Sequence, residues 1–343
     1  MTGQNLMNLP PVATTTVGSF PRPTWLADHK RSEATFRLEG AQLREGQDDA
    51  TIVILQEQEM LGLDLLTDGE QRRTNFIHYL LASMEGFDLI HRRSKSNFRR
   101  RLNYARLVPK VVGQVRRRTS ALVEDFRFAT AHASRPVKMG VPGPMTVVDS
   151  TYDEFYGDEA ALAMDVACAL NGELLELQAA GCGLVQIDEP AMTRYHEKVA
   201  DYGLRALNRC LEGLTISSII HLCYGYPGGE ALQHEYEYPQ LLSLLMESRV
   251  GGFSLEFARS GYNPQILGML RDRLVMYGCV DPGDSPVEPL DVLVNRVRAA
   301  LKYVSPERLL LAPDCGLMTI SRDLALAKVR LLVEAAREVR RSL

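Results

Sequence analysis

No stretch of this 343-residue chain approaches the roughly 18 consecutive apolar residues that a membrane helix needs. The first eleven residues place no basic segment ahead of an apolar one, so no secretory signal is expected. Cysteine is sparse, with six thiols scattered outside any paired framework. That excludes a disulfide-stapled secreted scaffold and suits free thiols or metal ligands in a reducing cytosol. A cytoplasmic protein with no membrane partner is the expectation. Acids are missing from one long segment: residues 91–118 hold eleven of the 39 Lys and Arg and no Asp or Glu, leaving 28 bases against 43 acids elsewhere. Such a run reads as a solvated insertion, or as a docking patch for an anionic partner or substrate tail. No recognised nucleic-acid-binding motif accompanies it, so nucleic acid is not expected as a partner.

What is present is ordinary in bulk and regular in order. Hydrophobic residues make up 45% and charged residues 24%, as in a globular protein. Residues 12–20 are rich in β-branched side chains and close in Gly-Ser-Phe-Pro, a strand turning into a loop. A helix is expected over 33–61, a strand over 63–67 and a helix over 76–84. Residues 87–136 break the rhythm as an insertion, with 111–115 and 121–128 expected to pair as an accessory hairpin. Strands then alternate with helices: 137–141, 184–187, 216–222, 252–255, 274–277 and 309–312 against 158–180, 199–211, 239–248, 264–273, 290–304 and 323–341. Eight apolar runs, nearly all followed by helices, predict one (β/α)8 barrel over residues 1–343.

Polar residues fall where those runs end. Ser19, Glu70, Asp188, His221, Cys223, Glu256, Asp281 and Cys315 lie at the C-terminal ends of different strands. In a (β/α)8 barrel those ends converge on the mouth where active sites are built. His221 and Cys223 are two residues apart, so a strand projects them from one face. Alone, such a pair is as readily packed core as metal site. With Glu256 and Cys315 it becomes an imidazole, two thiolates and a carboxylate, a soft set that suits Zn2+ better than magnesium or calcium. Coordination strips the proton from a substrate thiol and yields a nucleophile at neutral pH. The alternative is a closed site that only clips the barrel together.

The stretches TTTVGSFPRP, TDGEQRR, VPGPMTV, QIDEPA, IIHLCYG, SLEFARS and PDCGL, in this order, resemble the catalytic barrel of the cobalamin-independent methionine synthase family. The resemblance runs from Thr14 to the last helix and implies a zinc-dependent methyltransferase that converts homocysteine to methionine. It carries the zinc ligands onto His221, Cys223, Glu256 and Cys315. It carries homocysteine binding onto the backbone of Val17, Gly18 and Ser19 and onto Glu70 and Asp188. Two carboxylates for an ammonium and backbone N–H groups for a carboxylate are what an amino-acid thiol requires. Glu70 and Asp188 also have plainer readings, as a loop acid and a turn-ordering residue.

The methyl-donor half departs from the family. Its DxHSP stretch reads Asp281-Pro282-Gly283-Asp284-Ser285-Pro286 here, with Asp284 where the histidine that assists the departing folate belongs. Asp284 is therefore the candidate catalytic acid, or a turn residue beside Gly283. The family's folate-stacking tryptophan falls near Ser150, its folate-contacting glutamate is Arg194, and the only tryptophan is Trp25. Tyr152, Tyr224 and Tyr226 are candidates for the donor pocket or for capping the mouth. Cys168, Cys182 and Cys210 read as core thiols, and Cys279 as a weaker site candidate. The donor is then a methyl-folate or a methyl-corrinoid, the latter carried on an acidic protein docked at 91–118. Other readings are alkyl transfer to another thiol such as coenzyme M, and a non-catalytic zinc- or corrinoid-binding accessory protein.

Overall fold

The computed structural model describes residues 9–27, 33–99, 102–224 and 238–343. Its strands, in chain order, are β1 Ala13–Thr14, β2 Met84–Arg99, β3 Leu102–Arg117, β4 Met139–Pro142, β5 Tyr152–Asp153, β6 Leu184–Asp188, β7 Ser217–Leu222, β8 Gly252–Glu256, β9 Leu274–Val280 and β10 Leu309–Pro313. Seven form one parallel sheet in the order β1-β10-β9-β8-β7-β6-β4. The free edges of β1 and β4 meet across residues 64–67. Asp64 and Leu65 donate their N–H groups to the Thr14 carbonyl at 3.1 and 3.0 Å, Leu66 donates to Pro136 at 2.8 Å, and Lys138 donates back to Leu66 at 2.9 Å. This short segment is the eighth stave, and it closes the curled sheet into the expected (β/α)8 ring.

Burial explains why these runs are apolar on both faces. β6, β8 and β10 are buried along their whole length. One face packs Ala13, Leu65, Leu184, Ile219, Met276 and Leu310 inside the ring, and the other meets the surrounding helices. Among the described residues, no helix is long and apolar enough to cross a membrane.

Three expectations need correction. The first long helix is Gly40–Leu61, not 33–61, and it ends where Gly62 takes φ 97° and donates to Gln58 and Glu59. That left-handed turn is one a glycine adopts without strain. The 76–84 helix stops at Leu81, because β2 begins at Met84. The accessory hairpin exists but is built from other residues: β2 pairs antiparallel with β3, from Met84 opposite Arg117 to Arg99 opposite Leu102. Residues 121–128 instead enter the helix Val123–His132, with Glu124 and Asp125 in its first turn and Val123, Phe126 and Ala129 buried at helical spacing. The basic run lies on β2 and β3, which form a three-stranded sheet with β5 and bury Val108, Val111 and Val115.

Part of the hairpin's charge is met within the chain. Arg92 pairs with Glu33, Arg93 and Lys110 with Glu154, and Arg117 with Glu173 and Glu176. Lys95 donates to the carbonyls of Val148 and Thr151 at 3.0 and 2.8 Å, and Arg106 to Ser150 at 2.7 Å. Arg100 and Arg101 lie outside the described residues.

One loop at the mouth depends on a missing side chain. Glu189 is buried and accepts from the N–H groups of Met145 and Thr146, each at 2.9 Å, and from the Thr146 hydroxyl at 2.7 Å. It thereby caps the helix Pro144–Asp149, whose first residue follows Gly143. A Cβ on Gly143 would collide with this pinned carboxylate. Gly143→Ala is expected to cost about 1–3 kcal/mol through overpacking, read as a lower urea midpoint with an unchanged slope.

Candidate functional site

β7 ends at Leu222, so His221 and the following Cys223 emerge together at the mouth, and Cys315 arrives two residues after β10. Their imidazole nitrogen and two sulfurs lie within 4.8 Å of one another. His221 and Cys223 are buried and Cys315 is half-buried. The histidine has one nitrogen engaged and one available. Nδ1 meets the Ser254 hydroxyl at 2.8 Å, whereas Nε2 is buried without a hydrogen-bond partner. A buried imidazole nitrogen with no protein partner, facing two thiols, is what a metal ligand looks like before its ion is considered.

Electrostatics agree. The Cys315 thiol is held well above its ordinary range by its hydrogen bond with Cys223, by burial, and by the charge of Cys223 and Glu256. Two thiols and a carboxylate in one dry pocket oppose one another's ionisation, and a dication removes that opposition. The donor set fits zinc. Glu256, fully buried at the end of β8, stands beside the three-residue group; its Oε1 accepts from Tyr224 N at 3.3 Å. Tyr238 ties the two strand ends together, donating to the Leu222 carbonyl at 2.6 Å and accepting from Glu256 N at 3.1 Å.

Ser254 holds the ring orientation of His221 from the neighbouring strand. Ser254→Ala is expected to weaken zinc binding by about 10- to 100-fold without dissolving the barrel. Titration with a competing chelator measures this; unchanged affinity would show that the hydroxyl orients nothing.

A second cluster adjoins the first. Asp188 ends β6 in register with His221 on β7. Ser19 accepts from Leu317 N at 2.9 Å, and a Cβ on Gly316 would strike its hydroxyl, so the 17–19 loop lies against the Cys315 turn. Glu70 takes φ 56° and is buried with Arg73 at 3.6 Å. Its Oε1 would lie 2.8 Å from a Cβ on Gly18, which explains the glycine there. Burial pushes Glu70 up to about 7, with Arg73 opposing and Asp68 and Asp188 assisting. Burial likewise pushes Asp188 up to about 6, against the pull of His221, Gln186 and Lys138. Lys138 is driven down to about 8 by its own burial.

The structure thus gathers Val17, Gly18, Ser19, Glu70 and Asp188 beside His221, Cys223, Glu256 and Cys315. Asp284 differs from these buried groups in being exposed. The turn carboxylate of its loop is Asp281, which accepts from Gly283 N at 2.8 Å and Ser285 Oγ at 2.7 Å and pairs with Arg259. Lys328 pins the same loop through the carbonyls of Asp281 and Gly283, both at 2.7 Å. Tyr224 is buried, with its hydroxyl 3.2 Å from that of Tyr262. Tyr152 lies under Arg93, and Tyr226 falls outside the described residues. Arg194 pairs with Asp149 at 2.7 Å. Cys182, Cys210 and Cys279 are buried, but Cys168 is exposed and so is not a core thiol.

Sequence reasoning missed Ser254, Lys138 and Gln186. Strand parity contained the signal for two of them. Ser254 precedes Glu256 by two residues, and Gln186 precedes Asp188 by two, as His221 precedes Cys223. Lys138, inside an apolar strand run, was an equally visible anomaly.

Residues 12–338 match the family described as the cobalamin-independent synthase catalytic domain. The chain is 30% identical to the methionine synthase of Sulfurisphaera tokodaii over 338 residues, covering 98% of this chain and 94% of that one. It is also 30% identical to the methionine synthase of Saccharolobus solfataricus over 346 residues, with 98% of each chain covered. Among solved structures, a B12-independent methionine synthase from Shewanella sp. W3-18-1 in complex with selenomethionine superposes with a TM-score of 0.92 at 33% identity, covering 97% of this chain and 99% of that one.

Proposed function

This chain belongs to the cobalamin-independent methionine synthase catalytic-domain family, and on that premise we propose that it transfers a methyl group to the thiol of homocysteine, forming methionine. The observation that carries the reading is the His221–Cys223–Cys315 cluster set against two buried carboxylates, Glu70 and Asp188. The Shewanella relative, solved with the selenium analogue of methionine, supports an amino-acid product.

His221, Cys223 and Cys315, with Glu256 as fourth donor, would hold the zinc. Bound there, zinc supplies the charge that lets a thiol lose its proton at neutral pH. Glu70 and Asp188 receive the ammonium, and the backbone of Val17, Gly18 and Ser19 receives the carboxylate. These contacts fix the sulfur for in-line displacement, in which an S–CH3 bond forms as the bond from methyl to donor breaks. Asp284 is offered as proton donor to a folate leaving group; a corrinoid leaving group would not need one. Residues 1–343 are read as one catalytic barrel, with about 87–136 inserted. Thiolate ligands imply a reducing compartment, the cytoplasm.

Coenzyme M is the less favoured acceptor, because its sulfonate would face Glu70 and Asp188. The test is methionine formation by zinc-loaded protein from homocysteine with labelled methyl-tetrahydrofolate or methylcobalamin, and coenzyme M as competing acceptor. Asp284→Asn should slow the folate reaction and spare the corrinoid one. Full zinc occupancy with no turnover from either donor would favour the non-catalytic reading instead.

A further inference from the structure

Two buried polar side chains beside Asp188 have no part in the reaction as described above. Lys138 is 1% exposed, and its Nζ donates to the Val17 carbonyl at 2.7 Å and to Gln186 Oε1 at 2.6 Å. Gln186, fully buried, donates from Nε2 to the same carbonyl at 3.0 Å and to Asp188 Oδ1 at 2.7 Å. Donor and acceptor counting leaves one orientation for this amide. An ammonium has only protons to give, so it takes the amide oxygen, and the amide nitrogen is left facing two acceptors. A flipped amide would aim its oxygen at the Asp188 carboxylate and lose both bonds.

We infer that Lys138 and Gln186 are a positioning pair, which holds Asp188 in the geometry that receives the amino group of the acceptor thiol. Gln186 occupies Oδ1 of Asp188, so Oδ2 is the oxygen left for an ammonium. The doubly accepted Val17 carbonyl anchors the loop that continues into Gly18 and Ser19. Lys138 sits one bond further out and acts through Gln186 and Val17. The inference rests on homocysteine being the acceptor, and it assigns selection for amino-bearing thiols to residues that do not touch the metal.

The test uses zinc-loaded protein carrying Lys138→Met, Gln186→Met, or both, with homocysteine and with 4-mercaptobutyrate, which keeps the thiol and carboxylate and lacks the amine. Each single substitution should raise the KM for homocysteine about tenfold or more, the range expected for a lost bond to a charged group. Zinc content and kcat should stay near the wild-type values, and the loss with 4-mercaptobutyrate, which still uses the Val17–Ser19 backbone, should be markedly smaller than with homocysteine. The double variant should be no worse than the worse single one, because both act along one path. Should Lys138→Met fail to fold, Gln186→Met carries the test alone. An unchanged homocysteine KM in Gln186→Met, additive losses in the double variant, or equal losses with both thiols would each overturn the pairing. Wild-type protein that treats the two thiols alike would overturn the homocysteine reading, and the inference with it.

Discussion

Cys315→Ser is expected to abolish stoichiometric zinc and to cut methionine formation by more than the roughly 100-fold that losing an outer partner costs a metal site. A serine hydroxyl does not ionise at neutral pH and is a hard donor in a site whose other nearby ligands are an imidazole and a thiol. Of the four proposed donors, His221, Cys223 and Glu256 remain, with a single thiolate where the site is built on two. Folding should survive, because Cys315 is half-buried and the backbone bond from Leu317 to Ser19 does not involve its sulfur. Metal analysis after dialysis and a turnover assay read the two effects separately. The exposed Cys168, replaced by serine, should change neither. Undiminished turnover in Cys315→Ser would falsify thiol activation at this cluster.

Asp188→Asn should lower kcat/KM for homocysteine by about 2–5 kcal/mol, roughly 30-fold to several thousandfold, the cost of removing one partner of a buried charge pair. An asparagine oxygen can still accept from Gln186, so the loss isolates the charge. The same argument fixes a pH dependence. Burial raises Glu70 to about 7 and Asp188 to about 6, and only their ionised forms attract an ammonium. Homocysteine capture should therefore fall as pH drops through that window. Stability of the substrate-free protein runs the other way. A carboxyl whose folded pKa is raised takes up its proton in the native state first, so its stabilising contribution is complete below the ordinary carboxylate range. That contribution is lost as pH rises through 6 and 7. Thermal melts of wild type and Asp188→Asn between pH 5 and 8 should show the variant losing less stability toward alkaline pH. Parallel melting curves would mean that Asp188 is not a strained buried carboxylate.

These opposed profiles give the site a physical character. Buried acids gathered at the mouth weaken the empty protein at neutral pH and are useful when a cationic group arrives. Arg22, Arg73 and Lys138 offset part of that cost: Arg73 reaches Asp68 and Glu70 at 3.8 and 3.6 Å, and Arg22 donates to the Glu70 carbonyl at 3.1 Å. The basic hairpin shows the reverse. Four of its eleven cations, Arg92, Arg93, Lys110 and Arg117, pair with Glu33, Glu154, Glu173 and Glu176 from distant parts of the chain. Local composition suggested a solvated insertion or a docking patch; the fold places these four cations in ion pairs with acids distant in sequence.

The barrel and its ligand types were legible from sequence, because both rest on local rules. Runs apolar on both faces make buried parallel strands, and a polar residue that ends such a run must stand at the mouth. His221, Cys223, Glu256, Cys315, Glu70 and Asp188 all stand at such run ends, and the structure brings His221, Cys223 and Cys315 within 4.8 Å of one another. Pairing was not legible. Residues 111–115 pair with β2 rather than with 121–128, and that the expected strand at 63–67 closes the ring shows only in its hydrogen bonds to Thr14, Pro136 and Lys138. Nor could sequence show that His221 turns Nδ1 to Ser254 and leaves Nε2 bare, or that Lys138 sets the amide of Gln186 against Asp188. The Ser254 and Lys138 contacts join residues 33 and 48 positions apart. Sequence periodicity governs which face a side chain takes, whereas ring closure alone decides which side chains then meet.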